Sequence, residues 1–191
     1  MIIMETWDKN SKKELIIALI NTGALTYGKF ILASGKESTY YIDVKKACGD
    51  PGTLSIISRD MCNFISTLHN VDVVAGVELG GVSIVTAVSL GSNIPMVIIR
   101  KKVKSYGIEN FFIGEVENKK VLILEDVTTT GGSVIEAIEK IRGVGGMVDT
   151  VITVADRDEG ASENLKRIGV ELIALVNHSD LKENNYHKKD N

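Results

Sequence analysis

The sequence predicts an α/β fold, a central, mostly parallel sheet flanked by helices, with a small N-terminal hood made of a helix and a hairpin. Three observations carry this expectation. From Asp50 onward, short β-branched runs alternate with segments of helical spacing, the pattern of parallel strands joined by helices. Those strand-like runs are mostly apolar, as expected of strands covered on both faces. The chain has 191 residues, so the prior of roughly 150 residues per domain favours one domain. That domain is expected over residues 1–176, with the hood at 11–48 and the core at 50–176, followed by a polar, loose tail at 177–191.

Taken in order, Ser11 and Glu14 form a capping box ahead of Leu15, Ile16, Leu19 and Ile20, and Gly23 supplies a stop, which predicts a short amphipathic helix. Phe30-Ile31-Leu32 and Tyr40-Tyr41-Ile42 then flank Ser34-Gly35-Lys36-Glu37, which reads as a hairpin with a longer turn. Asp50 can cap a helix that has Pro51 in its first position and Leu54, Ile57, Met61, Phe64, Ile65 and Leu68 at helical spacing. Strands are expected at Val71–Val77, Pro95–Arg100, Val121–Asp126, Val148–Asp156 and Val170–Val176, with helices near Val82–Leu90, Gly132–Arg142 and Ala161–Ile168.

Composition excludes several classes. With 44% hydrophobic and 25% charged residues the chain is neither disordered nor a disulfide scaffold. A net charge of −3 calls for no polyanionic partner. Cys48 and Cys62 lack metal or redox spacing and read as free, buried thiols. The longest apolar run, Leu15 to Ile20, is far below the roughly 18 residues a membrane span needs. No membrane or nucleic-acid partner is expected, and the location expected is cytoplasmic. His69, His178 and His187 form no recognisable nucleophile or metal arrangement, which argues against serine-histidine-acid hydrolysis.

In open parallel sheets ligands sit beyond the carboxyl ends of the strands, so chemistry is sought immediately after each strand. The run Val121-Leu122-Ile123-Leu124-Glu125-Asp126-Val127-Thr128-Thr129-Thr130-Gly131-Gly132-Ser133 is the most informative. An apolar strand ends in two acids and opens into hydroxyls and glycines before a helix. Its second half is a phosphate cradle, because glycine lets the backbone approach and N–H groups at the helix start point at the anion. Its acids cannot bind that phosphate but can accept hydrogen bonds from a pair of sugar hydroxyls, so a ribose 5-phosphate uses both halves. A bare T-T-G-G stretch would be an ordinary capped helix; the acidic pair in register reverses those odds. No G-x-x-x-x-G-K-[ST] accompanies it, which removes a P-loop ATPase, and the loop Gly76-Val77-Glu78-Leu79-Gly80-Gly81 is not G-x-G-x-x-G.

The Glu125–Ser133 run resembles the PRPP-binding signature of the type I phosphoribosyltransferases, and the other loops are most similar to the orotate phosphoribosyltransferase family. These loops are the hairpin Phe30–Gly35 with Ser38–Asp43, the glycine loop Glu78–Gly81, and Arg100-Lys101-Lys102-Val103-Lys104-Ser105-Tyr106-Gly107, and the resemblance runs from about Gly23 to Val176. It implies the type I phosphoribosyltransferase fold and transfer of the phosphoribosyl group of PRPP to N1 of orotate, giving orotidine 5′-monophosphate and pyrophosphate, a step of de novo pyrimidine synthesis. It also implies Mg2+ carried mainly on PRPP and pyrophosphate, no metal ligands of the protein's own, and a homodimer with shared active sites.

The resemblance assigns PRPP contacts to Arg100, Lys101, Lys104, Tyr106, Glu125, Asp126, Val127, Thr128, Thr129, Thr130, Gly131, Gly132 and Ser133, and catalytic roles to Lys104, Glu125 and Asp126. Cations brought over pyrophosphate stabilise the charge developing as it leaves. The segment Ser105–Gly114 has little reason to be rigid, so a lid closing over the site and excluding water is expected. Orotate contacts fall to Thr129, Arg157, Tyr41 and Ile42. Arginine's rigid fork pairs bidentately with a carboxylate and so distinguishes orotate from uracil; otherwise Arg157 is a surface residue paired with Asp158 or Glu159. Tyr106 stands where many members carry histidine, and a phenol can donate to phosphate but cannot become an imidazolium. Ala33 stands where bacterial members carry a PRPP-contacting lysine, which a methyl group cannot replace. Glu78–Gly81 resembles the pyrophosphate-side loop, and Asp43, Lys45 and Lys46 receive no role.

Two rival readings compete with this one. A phosphoribosyltransferase for a purine would keep Glu125–Ser133 but has no need of Arg157 or of the cation run. A PRPP-sensing nucleic-acid regulator would need an added binding segment or a broad basic face, and the net charge of −3 counts against it.

Overall fold

A computed structural model describes residues 9–31, 35, 37–101 and 111–182. The hood comprises α1 (Lys9–Asn21), β1 (Leu25–Ile31), β2 (Glu37–Ile42) and the four-residue α2 (Val44–Ala47). Strands β1 and β2 pair antiparallel, as the hairpin reading requires, although β1 begins five residues earlier than Phe30. Helix α1 already runs at Lys9, so Ser11 lies inside it and the expected capping box does not form its start. The reason is tertiary: Glu14 Oε2 is 2.8 Å from Arg59 Nη2 and is engaged away from Ser11. Gly23 ends the turn as expected, at φ +65°, with its N–H donating to Ile20 O.

After the hood come α3 (Pro51–Ile65), β3 (Val73–Val77), α4 (Gly80–Ser92), β4 (Met96–Ile99), β5 (Phe112–Ile113), β6 (Val121–Thr128), α5 (Gly132–Gly143), β7 (Thr150–Asp156), α6 (Ala161–Arg167), β8 (Glu171–Asn177) and α7 (His178–Lys182). Asp50 caps α3 as its sequence predicts, its Oδ2 accepting from Thr53 N at 2.7 Å and from Thr53 Oγ1 at 2.8 Å. The sheet order is β5-β4-β3-β6-β7-β8, all parallel except the short β5 on one edge.

The apolar runs are buried on both faces because successive side chains alternate. Leu122 and Leu124 join one core cluster with Leu15, Leu19, Tyr40 and Ile42 of the hood and with Ile57 and Met61 of α3. Val121 and Ile123 point the other way, against Ala137, Ile138 and Ile141 of α5. The hood therefore shares a core with the sheet.

Several features differ from the sequence reading. Helix α2 and strand β5 were not anticipated, since two to four residues are too few to show a period. Residues 178–182 do not belong to a loose tail: they form α7, anchored by fully buried Leu181 and by Asp180, whose Oδ2 accepts from Lys12 Nζ at 2.8 Å. The rest of that tail, 183–191, lies outside the described residues. Cys48 and Cys62 are free but only half-buried. No helix among the described residues is long and apolar enough to cross a membrane.

Candidate active site

Alternation along β6 fixes the geometry of the acidic pair. Asp126 shares a side of the strand with Leu122 and Leu124, toward α2 and α4, and Glu125 shares the other. Helix α4 starts so close to Asp126 that a Cβ on Gly80 would collide with its carboxylate, so only glycine fits there. Asp126 Oδ1 accepts from Val127 N at 2.9 Å, and Lys45 Nζ of α2 lies 3.5 Å from Asp126 Oδ2 and 3.0 Å from Asp43 Oδ1. Lys45 loses some charge stabilisation to burial, but its hydrogen bond to Asp43 and the charge of Asp126 outweigh that and raise its pKa. The hood thus delivers a cation to the acidic pair. Sequence reasoning missed Lys45, and its only local trace is the acid-cation spacing Asp43-Val44-Lys45.

Glu125 is 8% exposed, and its Oε2 has no hydrogen-bond partner among the described residues. Burial first, then the Asp126 charge and a hydrogen bond with it, push the Glu125 carboxyl up to about 9. Glu125 therefore keeps its proton near neutrality. A buried carboxyl oxygen without a partner is costly.

Beyond the pair, Thr128 is buried and its Oγ1 donates to Asp156 Oδ1 at 2.9 Å, tying the ends of β6 and β7 together. Thr129, Thr130, Gly132 and Ser133 are exposed. Gly131 enters the helix at φ +81°, a conformation that favours glycine. The carbonyls of this turn face away from the mouth of α5: Thr129 O accepts from Ala161 N at 3.1 Å, and Thr130 O from Asn164 Nδ2 at 2.9 Å. The free N–H groups at the start of α5 are left for an anion.

Arg157 follows β7 on the same sheet edge, and its side chain is only 10% exposed, which a surface arginine would not be. It does pair with Glu159, Nε to Oε1 at 3.1 Å, though Nε makes no hydrogen bond among the described residues. Its guanidinium carbon lies 5.5 Å from the centre of the Tyr40 ring. At the end of β4, Lys101 N donates to Glu78 Oε1 at 2.7 Å, and Lys140 Nζ of α5 reaches Arg100 O and Lys101 O, both at 3.4 Å. Arg100 and Lys101 thereby join the Glu78–Gly81 loop at the edge where the acids stand. Lys104, Tyr106 and Ala33 lie outside the described residues.

Tyr41 and Ile42, expected together on the base, occupy opposite faces of β2. Ile42 is 6% exposed in the core, whereas Tyr41 is 47% exposed and packs on Phe30 with ring centres 5.7 Å apart. Neighbouring strand residues cannot turn both side chains to one ring. Tyr40 is the hairpin residue that meets Arg157.

The sequence of the phosphoribosyl transferase domain family matches residues 56–181. An orotate phosphoribosyltransferase from Methanosarcina mazei is 53% identical over 174 residues, which cover 91% of this chain and 92% of that protein. The crystal structure of orotate phosphoribosyltransferase from Aeropyrum pernix superposes with a TM-score of 0.76 at 31% identity, covering 88% of this chain and 96% of that one. That of the Mycobacterium tuberculosis enzyme in complex with PRPP gives 0.74 at 29% identity, covering 90% and 98%. Likeness of this extent, over a sheet edge that sets an acidic pair beside a glycine-led helix start, makes the chain a member of the phosphoribosyltransferase family, among the orotate phosphoribosyltransferases.

Proposed function

We propose that the chain transfers the phosphoribosyl group of PRPP to N1 of orotate, releasing pyrophosphate, as a step of pyrimidine synthesis. The observation that carries this is the orphaned Oε2 of buried Glu125 beside Asp126, directly before the glycine-led start of α5. The two ribose hydroxyls would meet this pair, hydrogen-bonding to Asp126 and to neutral Glu125. The 5-phosphate would take the N–H groups of α5 with Thr129, Thr130 and Ser133, through hydroxyls and dipole rather than lysine.

Arg100 and Lys101 stand at the end of β4, where cations would meet the diphosphate; Lys104 completes that run and is the proposed catalytic lysine. The C1–O bond to pyrophosphate breaks as an anionic N1 forms the new C1–N bond, so no covalent enzyme intermediate is needed. The chain contributes positioning and charge. Arg157 would take the orotate carboxylate, with Thr129 beside it.

Mg2+, when bound, would neutralise part of the leaving diphosphate's charge. Among the described residues no group of three or more His, Cys, Asp or Glu could cage an ion. Mg2+ takes hard oxygen ligands, which substrate phosphates, water and the acidic pair would offer. We further propose a homodimer in which the Lys104 segment serves the neighbouring site, a cytoplasmic location, and one catalytic domain that extends through α7 to Lys182.

The test is turnover with PRPP and magnesium, followed by loss of orotate absorbance, beside uracil, adenine, hypoxanthine and guanine. Orotate alone should react, and Lys104→Ala should cut the rate about 100- to 1,000-fold, as loss of a charge-stabilising donor does. Turnover of another base would overturn the reading of Arg157, and PRPP binding without turnover would favour a sensor.

A further inference from the structure

Helix α7 reaches the site through one buried tyrosine. Tyr40 is fully buried, and its hydroxyl lies 2.7 Å from Nδ1 of His178, the first residue of α7. The two rings are 5.5 Å apart and inclined at 46°. The Arg157 guanidinium also lies over the Tyr40 ring, 5.5 Å from its centre, and shares a pocket lining with His178. His178 and Arg157 thus both contact Tyr40, in a cluster that joins α7, β2 and the end of β7.

The cluster has a fixed base. Asn177 Oδ1 accepts from Asp180 N at 3.1 Å and from Ser179 Oγ at 2.7 Å, holding the first turn of α7. Asp180 ties the helix to Lys12 of α1, and Leu181 is buried. Burial pushes Tyr40 above its ordinary pKa and His178 below its own. The phenol therefore keeps its proton and donates, and neutral His178 accepts at Nδ1 as its Nε2–H tautomer. The charged groups that face His178 are Arg157, Asp158, Glu159 and Lys182.

We propose that the Tyr40–His178 pair positions Arg157 for the carboxylate of the pyrimidine substrate, so that helix α7 helps to select the base. His178 is a positioning residue and touches no substrate. A phenol that donates its hydrogen holds its ring in one place and enriches that ring's face, where the guanidinium rests. Without the acceptor, Tyr40 keeps a buried hydroxyl unpaired, and the ring supporting Arg157 is free to shift. The inference rests on the reading of Arg157 as the carboxylate contact.

The experiment compares His178→Leu, His178→Asn, Tyr40→Phe, the Tyr40→Phe/His178→Leu double variant and Arg157→Met in the full chain, with separate KM values for orotate and PRPP. Losing one neutral hydrogen bond should raise the orotate KM about five- to tenfold in His178→Leu. The PRPP KM should stay within about twofold, because the α5 edge is untouched. Asn places an acceptor oxygen where Nδ1 stood, so His178→Asn should restore most of the orotate KM. It also keeps the test decisive should His178→Leu fold poorly. Tyr40→Phe should match His178→Leu, and the double variant should be no worse than either single one. A joint rise of both KM values, no rise in either, or an Asn variant as impaired as Leu overturns the proposal. An orotate KM that Arg157→Met leaves unchanged overturns the Arg157 reading itself; a rise there without one in His178→Leu overturns only the inference.

Discussion

At the β6–α5 turn, the groups that would meet ribose 5-phosphate come from nine consecutive residues, Glu125 to Ser133, whereas around Arg157 they come from three segments, two of them 138 positions apart. Each edge keeps an unpartnered buried polar atom, Glu125 Oε2 and Arg157 Nε, but the two differ in what surrounds it. The acidic edge is held open: Glu125 Oε2 is unpartnered, and the N–H groups at the start of α5 have no intrahelical acceptor. The arginine edge is propped from within by Tyr40, His178 and Glu159. A polar diol and phosphate can be met by local backbone and short side chains. Holding a long, flexible arginine at one angle takes supports from elsewhere in the fold.

The largest effect should come from the acidic edge. Asp126→Asn removes the carboxyl that Lys45 reaches, and losing a hydrogen bond to a charged group should lower kcat/KM for PRPP about 10- to 100-fold. Steady-state kinetics with PRPP varied at saturating orotate measures it. If orotate binding fell as much, the two edges would not be separable.

Next comes the arginine edge, where Arg157→Met removes a bidentate charged contact. It should lower kcat/KM for orotate about tenfold or more while the PRPP KM holds. The preference for orotate over uracil should shrink in parallel. An equal loss for both substrates would merge the two edges into one.

Stability against pH reads the acidic edge without substrate. The folded carboxyl of Glu125 titrates near 9 against an ordinary 4.5, so between those values the folded state binds more protons than the unfolded. Stability from this group is fully present below 4.5 and is lost as pH rises through about 9. Glu125→Gln cannot ionise, so its melting temperature should fall less steeply than the parent's between pH 5 and 9. Parallel melting curves would mean that Glu125 is already charged in the folded protein.

The same contrast explains what could be read in advance. Glu125–Ser133 was legible because strand, acids, glycine turn and helix start are contiguous, and each has a local physical signature. The cap at Asp50 was legible for the same reason. The capping box at Ser11 misled because Glu14 pairs with Arg59, 45 positions away. Tyr41 and Ile42 were legible as a hairpin pair, but not the division of their faces or the role of Tyr40 beneath Arg157. The region after Asn177 looked like a polar tail because one buried leucine and a histidine on a five-residue helix leave no period.

The smallest effect concerns Lys45, which connects the hood to the acidic edge. Its ammonium is about half exposed, at 3.0 Å from Asp43 and 3.5 Å from Asp126. Exposed pairs of this kind contribute about 0.2 to 1 kcal/mol, so Lys45→Met should cost only about two- to fivefold in kcat/KM for PRPP. The loss should diminish in high salt, because a half-exposed pair is screened. Lys45→Arg should recover most of it, since a guanidinium can span both carboxylates. The orotate KM should not respond, because the carboxylates that Lys45 reaches are Asp43 and Asp126, on the acidic side of the site. A response there would mean that the hood moves as one body over both edges, and the division between a locally built edge and a remotely propped one would then describe construction but not function.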